Sequence, residues 1–346
     1  MSDVIKFEEL AEALPVTVLT GFLGSGKTTL LNRLLSHPDL KNCLVLINEF
    51  GEVGIDHLLV QRLDQDVVLL ESGCICCTMR GELAVTLVDL AARRDAGVLP
   101  PFDRVLMETT GLADPAPILQ ILMTDPMLLP DYRVDGIACV VDAENGGETL
   151  DAHPVSVKQA AVADRLLLSK LDIASPGKAA ALRQRLAALN PGAPVSPVLH
   201  GEIDPAHIIG IGSLTQIACG QAHPEHACGA HCEHDHHDHD HDHARTGAGH
   251  GHDGIASFVV TRERPVSLQK VEAALQGLVA AHADRLLRIK GIVNADGKPV
   301  VIQGVQHLFH PPVLLSAWPS SDRRTRLVFI VRDLDPSLVH AALADA

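Results

Sequence analysis

The 346-residue sequence predicts an α/β fold, a parallel-sheet domain followed by a small α+β domain. Three observations carry that expectation. Short β-branched or apolar runs alternate with helical stretches from Pro15 to about Leu199. A glycine-rich loop separates the first such run from the first helical stretch. The chain is also about twice the length of an ordinary domain, and 47% of its residues are hydrophobic, enough to bury two cores.

In the first domain the strand candidates are VTVLT (16–20), CLVLINE (43–49), VVLLE (67–71), RVLME (104–108), GIACVVD (136–142) and RLLLS (165–169). The helical stretches between them are LLNRLLSH (30–37), residues 82–94, residues 116–123 and KAAALRQRLAAL (178–189). Apolar strands separated by helices imply βαβ units with both sheet faces covered. From residue 219 to 254 apolar periodicity disappears, and HCEHDHHDHDHDH is low in complexity. Regular structure resumes with SFVVTRE (257–263), then a helix over 267–282 with Ser267 as its N-cap. Strands over 286–293 and 299–306 flank Asp296-Gly297, a hairpin signature. RLVFIV (326–331) and a last short helix complete the chain. The expected division is a first domain over 1–215, a flexible His/Asp-rich linker over 216–254 and a second domain over 255–346.

The formal net charge of −15 argues against binding nucleic acid through its phosphates. Aromatics are few (1 Trp, 1 Tyr, 7 Phe), so stacking platforms are absent as well. The N-terminus, MSDVIKFEELAEALP, lacks the basic and apolar regions of a signal peptide. No run reaches the roughly 18 apolar residues of a membrane span. The expectation is a cytoplasmic protein that binds neither nucleic acid nor membrane, with reduced thiols. Histidine is the outlier: 11 of the 20 lie between His223 and His252, and Cys219, Cys228 and Cys232 sit in or beside that stretch. Imidazoles mixed with carboxylates suit Zn²⁺, Co²⁺ or Ni²⁺. The candidate ligands of the tract are His231, Cys232, His234, His236 and His237.

Gly21-Phe-Leu-Gly24-Ser25-Gly26-Lys27-Thr28 fits the phosphate-loop pattern G-x-x-x-x-G-K-[ST]. Glycines let backbone N–H groups converge on phosphate oxygens, Lys27 neutralises the terminal phosphates, and the Thr28 hydroxyl ligates Mg²⁺. The loop follows VTVLT and opens the helical TTLLNRLL, the context such a loop requires. The first domain therefore reads as a P-loop NTPase, with Thr29 completing the phosphate cradle. Strand RVLME ends in Glu108-Thr-Thr-Gly111, where a γ-phosphate and Mg²⁺ sensor belongs in an open α/β sheet. Lys27 and Glu108 are the catalytic candidates. Strand RLLLS leads into Ser169-Lys170-Leu171-Asp172, close to the N/T-K-x-D loop that reads guanine. Asp172 is retained, but Ser169 stands where Asn is usual, which alters one bracing hydrogen bond. A helix-capping turn would give the same four letters; its place after a late strand favours GTP over ATP.

Glu71-Ser-Gly-Cys74-Ile-Cys76-Cys77-Thr follows VVLLE. Three thiols within four residues supply most of a tetrahedral soft-metal site. The ordinary alternative is three buried cysteines packed as small hydrophobes. Adjacent Cys76 and Cys77 cannot both face one core from a regular strand, which favours ligation.

Taken together, GFLGSGKTTLLNRLL, INEFGEVGID, ESGCICCTMRGEL, ETTGLADP and the C-terminal RIKGIV, QGVQHLF and RLVFI resemble the CobW-type P-loop GTPases, metal-handling relatives of the nickel-insertion GTPases for urease and hydrogenase. The resemblance runs from about Pro15 to Asp335, interrupted by the histidine tract. It implies a G-domain with a family-specific C-terminal domain. It also implies slow GTP hydrolysis coupled to loading or release of a metal, most often Zn²⁺, at Cys74, Cys76 and Cys77. NEFGE (48–52) would be a switch segment, with Glu49 and Glu52 as carboxylates for metal or water. The departures are Ser169 and VRDLD (331–335), where the family more often has a glycine.

The reading that follows is a GTP-driven metallochaperone acting on a client metalloprotein, with a homo-oligomeric state left open. The alternative is a passive zinc, cobalt or nickel store or sensor with a regulatory nucleotide site. A P-loop kinase would need an acceptor pocket for which the sequence has no signature. In the second domain Arg285, Arg288, Lys290, Arg323, Arg324 and Arg326 are expected to form a solvated or client-docking face.

Overall fold

The computed structural model describes residues 4–50, 67–72, 79–212 and 254–344. Seven parallel strands form the first sheet: β2 (Leu14–Thr20), β3 (Cys43–Phe50), β4 (Val67–Ser72), β5 (Arg104–Glu108), β6 (Tyr132–Asp142), β7 (Arg165–Ser169) and β8 (Val195–Pro197). Their order is β4-β3-β5-β2-β6-β7-β8. All six strands predicted for this domain are present; the three-residue β8 carries too short a pattern to be read in advance.

Strand alternation sorts side chains to two helical layers. Val16, Val18, Leu44, Leu46, Val105 and Met107 pack with α3 (Met79–Asp95) and α4 (Ala116–Thr124). Leu19, Val45, Ile47 and Leu106 pack with Leu30, Leu31 and Leu34 of α2 (Lys27–Leu35) on the opposite face. Beyond β6, α5 (Gly146–Ala152), α6 (Pro154–Val162) and α7 (Pro176–Leu189) cover β6 and β7.

The second sheet has the order β1-β13-β11-β10-β14-β9, with β12 on β11. It comprises β9 (Ile255–Arg262), β10 (Leu286–Ala295), β11 (Lys298–Val305), β12 (Leu308–Phe309), β13 (Val313–Leu314) and β14 (Thr325–Arg332). Asp296 and Gly297 turn β10 into β11 with φ of 51° and 89°, the left-handed pair a two-residue hairpin needs. Helices α8 (Leu268–His282) and α9 (Pro336–Ala342) bury one face, with Phe329, Ile289 and Val271 at its centre. The edge strand β1 (Ile5–Lys6), followed by the short α1 (Phe7–Ala11), comes from the other end of the chain and pairs in parallel with Val313–Leu314.

The other face of this sheet meets the first domain. A register shift between Leu286 and Arg288 interrupts the pairing of β10 with β14. Such a bulge re-aims side chains: Leu287 enters the core of α6 and α7 beside Ile330, and Arg288 reaches Asp164. This corrects the expectation of a solvated basic face. Arg288 is 5% exposed, and both it and Lys290 bond to the buried Asp164. A carboxylate at the start of β7 supplied the charge that let two cations be buried. Arg324, by contrast, is exposed and pairs with Asp322 and Glu263.

Candidate functional site

Every strand of the first sheet points the same way, so the segments after β2, β3, β4, β5 and β7 leave from one edge. In open α/β sheets that carboxyl edge is where ligands bind. The edge carries the phosphate loop after β2, Glu108–Gly111 after β5 and Ser169–Asp172 after β7. It also carries the start of the predicted switch segment at the end of β3, and the C-terminal end of β4 at Ser72.

The loop from Gly21 to Gly26 leads directly into α2, whose N-cap Gly26 has a φ of 98°. Side-chain-bearing residues avoid that conformation, and it lets the loop turn its amides toward the helix start. Lys27 is 7% exposed and its Nζ donates to the carbonyls of Gly21 at 2.9 Å and Phe22 at 3.3 Å. The Thr28 hydroxyl donates to Glu108 Oε1 at 3.2 Å, so two residues 80 positions apart meet beside the loop. Thr29 follows on the first turn of α2, and its carbonyl lies 3.0 Å from where a Cβ on Gly201 would sit.

Gly111 packs against the phosphate loop itself. A Cβ there would stand 2.6 Å from the Leu23 nitrogen, so any side chain would push the two loops apart. The intervening Thr109 hydroxyl bonds to the Thr20 hydroxyl at 3.0 Å. The hydroxyls of Ser25 and Thr110 are buried without a hydrogen-bond partner among the described residues. Unpartnered hydroxyls at a glycine-rich helix start, with Thr28 beside a carboxylate, fit a nucleoside triphosphate and a hard, oxygen-ligated cation such as Mg²⁺.

Ser169 faces the phosphate loop. Its hydroxyl donates to the Ser25 carbonyl at 2.6 Å, bracing the phosphate loop from the guanine-type loop across 144 positions. A serine hydroxyl thus braces the phosphate loop from the position where Asn is usual. Lys170 has a left-handed φ of 56°, and its Nζ donates to Asp142 Oδ2 at 2.7 Å. Asp172 is partly exposed at the same edge, with His200 Nδ1 3.8 Å from its carboxylate.

Sequence reasoning missed Asp142, Asn145 and His200. Asp142 ends β6 and accepts from the Glu144 and Asn145 amides at 2.8 and 3.1 Å, an Asx turn. Burial would raise its pKa, but Lys170, the Asn145 side chain and those amides outweigh it and hold the carboxyl below the usual range. The signal available was Asp-Ala-Glu-Asn after an apolar strand, which many loops share.

The candidate metal residues fall differently. Glu49 lies on β3, paired in register with Glu71 of β4, and its side chain is outside the described residues. Glu52, Cys74, Cys76, Cys77, His231, Cys232, His234, His236 and His237 also lie outside the described residues. Among the described residues no cluster of His, Cys, Asp or Glu could hold a metal ion. The buried Cys139 is unsuited to ligation, because burial pushes its thiol up to about 12. No helix among the described residues is long and apolar enough to cross a membrane.

A glycine-rich loop opening a helix, an acid-to-glycine segment packed on it and a guanine-type loop bracing it define a P-loop GTPase. The CobW/HypB/UreG, nucleotide-binding domain family matches residues 15–197, and the Cobalamin synthesis protein cobW C-terminal domain matches residues 255–346. The chain belongs to this CobW-type P-loop GTPase family. It is 35% identical over 334 residues to the zinc chaperone YjiA of Escherichia coli, covering 96% of this chain and 98% of that protein. It is 30% identical to the zinc chaperone CobW of a Sinorhizobium species, covering 95% and 96%. The crystal structure of Zn(II)-bound YjiA GTPase superposes with a TM-score of 0.68 at 31% identity, over 96% of this chain and 98% of that one.

Proposed function

We propose that the chain is a GTP-hydrolysing metallochaperone that binds zinc as cargo and transfers it to a client metalloprotein under nucleotide control. The observation that carries the reading is the meeting of Thr28 and Glu108 at 3.2 Å beside the phosphate loop. They meet at the same sheet edge from which β4 runs into Glu71-Ser-Gly-Cys74. Relatives named as zinc chaperones over nearly the whole length support the cargo and the transfer.

In this reading the Gly24–Thr29 amides and the Lys27 ammonium hold the β- and γ-phosphates. The Gly21 and Phe22 carbonyls, to which its Nζ donates, hold the Lys27 ammonium at the loop. Thr28 and Glu108 supply oxygen ligands, direct or through water, for Mg²⁺, which when bound neutralises charge between the phosphates. Gly111 offers its N–H to the γ-phosphate, and Asp172 accepts from the guanine N–H groups. Cys74, Cys76 and Cys77 take the zinc as thiolates, with Glu49 as a further ligand, and the histidine tract raises local metal supply.

The test is phosphate release from GTP and ATP by the full chain. Lys27→Ala is expected to lower kcat about 10²–10³-fold. Asp172→Asn is expected to weaken GTP affinity by about tenfold or more while leaving ATP unchanged. Unaltered GTP turnover by Lys27→Ala would refute the reading. So would zinc bound equally by the wild type and a Cys74/Cys76/Cys77 triple serine variant.

A further inference from the structure

The loop after β5 does more than touch the phosphate loop; it is gripped from behind by two elements. Two consecutive residues of α6 hold it. Gln159 Nε2 donates to the Gly111 and Ala113 carbonyls at 3.2 and 3.0 Å. Lys158 Nζ pairs with Asp114 Oδ2 at 2.8 Å. The third hold comes from the other domain. Gln306 Nε2 donates to Asp114 at 3.2 and 3.4 Å, across 192 positions of sequence. We propose that Gln306, acting with Lys158 through Asp114, is a positioning residue for GTP hydrolysis, setting where Gly111 lies against the phosphate loop. The inference rests on the GTPase reading above.

The backbone at Gln306 argues that its side chain is in use. Gln306 and His307 form the two-residue turn between β11 and β12, where Val305 pairs with Leu308. Gln306 takes a φ of 54° at the first turn position, where glycine is the unstrained choice. A long side chain kept in the left-handed region marks a contact that offsets the strain.

Joining the domains is not reason enough for that contact. The buried Asp164–Arg288–Lys290 cluster and the Leu287, Ile330 and Ile255 packing already do so. Asp114 is also placed to transmit. Its Oδ1 accepts from the Ala116 amide at 3.0 Å, fixing the start of α4, and three residues earlier Gly111 packs so closely on Leu23 that no Cβ would fit. Burial would raise the Asp114 carboxyl, but Lys158, the Ala116 amide and Gln306 outweigh it, so it stays an anion for both donors to hold.

The experiment uses the full chain with GTP, reading kcat and KM separately, thermal stability, and amide exchange over residues 110–114. Gln306→Gly suits the left-handed turn and keeps it, so folding is retained while the amide is lost. The expected result is a kcat at least about tenfold lower, with KM within about twofold and faster exchange at 110–114. Gln306→Glu sets a carboxylate against Asp114 and should be worse; Asp114→Asn combined with Gln306→Glu restores a donor–acceptor pair and should recover part of kcat. Wild-type kcat and exchange in Gln306→Gly would overturn the proposal, as would a double variant no better than Gln306→Glu. If the wild-type chain hydrolyses no GTP, the functional reading fails on its own. Exchange at 110–114 then tests the hold on the loop by itself: faster exchange in Gln306→Gly shows that Gln306 positions Gly111, and unchanged exchange overturns that.

Discussion

Asp164 and Asp114 are both carboxylates of the first domain that the second domain reaches across to hold. Asp164 is 2% exposed and faces two cations, Arg288 at 2.6 Å and Lys290 at 3.2 Å, while also accepting from the Ile137 amide. Burial alone would raise its carboxyl, yet Arg288 and Lys290 hold it below the usual range. Asp114 is partly exposed and faces one cation, with a neutral amide as the second domain's contribution. The first arrangement is a bolt: no partner can leave without stranding a buried charge. The second can open at small cost, because water reaches it and one of its bonds is neutral. A domain interface needs both kinds of contact when one end must stay fixed and the other must follow a ligand.

The comparison breaks most visibly at the bolt. Asp164→Ala strands Arg288 and Lys290 in the interface and should cost about 3–5 kcal/mol, read by denaturant unfolding. The fraction that remains folded should hydrolyse GTP at the wild-type rate. Lys158→Ala should do the opposite, costing at most about 1 kcal/mol while lowering kcat in the direction of the Gln306 variants. Equal stability losses in the two variants would erase the distinction.

Acid should separate them next. Both carboxyls are held below their unfolded value of about 3.9, so each contributes stability that is fully present above that value. That stability is lost as pH falls through the lower folded value. Urea unfolding across pH 5 to 2 should therefore show an acid-labile component that Asp164→Ala removes and Lys158→Ala only trims. The smallest effect is salt. Raising ionic strength to about 0.5 M screens the partly exposed Lys158–Asp114 pair and should slow turnover slightly while leaving unfolding unchanged.

These contacts also mark the limit of what the residue order disclosed. The phosphate loop was legible because its chemistry is contiguous: glycines, Lys27 and Thr28 must adjoin to wrap one phosphate group. The parallel sheet was legible because strands buried on both faces are apolar throughout. Ser169 was found, but its substitute bond to Ser25 depended on a rotamer that no letter records. Arg288 and Lys290 read as surface charges, since their partner lies at the start of β7, over a hundred positions earlier. Gln306 stood in QGVQHLF only as part of the resemblance, with no role to read, and Lys158 gave no signal; a polar residue in a hairpin turn and a lysine on a helix are the usual occupants of such places. The two-residue β1 was equally silent, because its register is set by β13 at the far end of the chain.

A nucleotide-controlled chaperone must link nucleotide binding to zinc binding. Zinc affinity of the full chain should be measured by chelator competition, with Mg²⁺ and either GDP or a non-hydrolysable GTP analogue. A nucleotide-controlled chaperone predicts zinc affinities differing by about 5–150-fold between the two, and zinc must change analogue affinity by the same factor. Identical zinc affinities in both nucleotide states would contradict it.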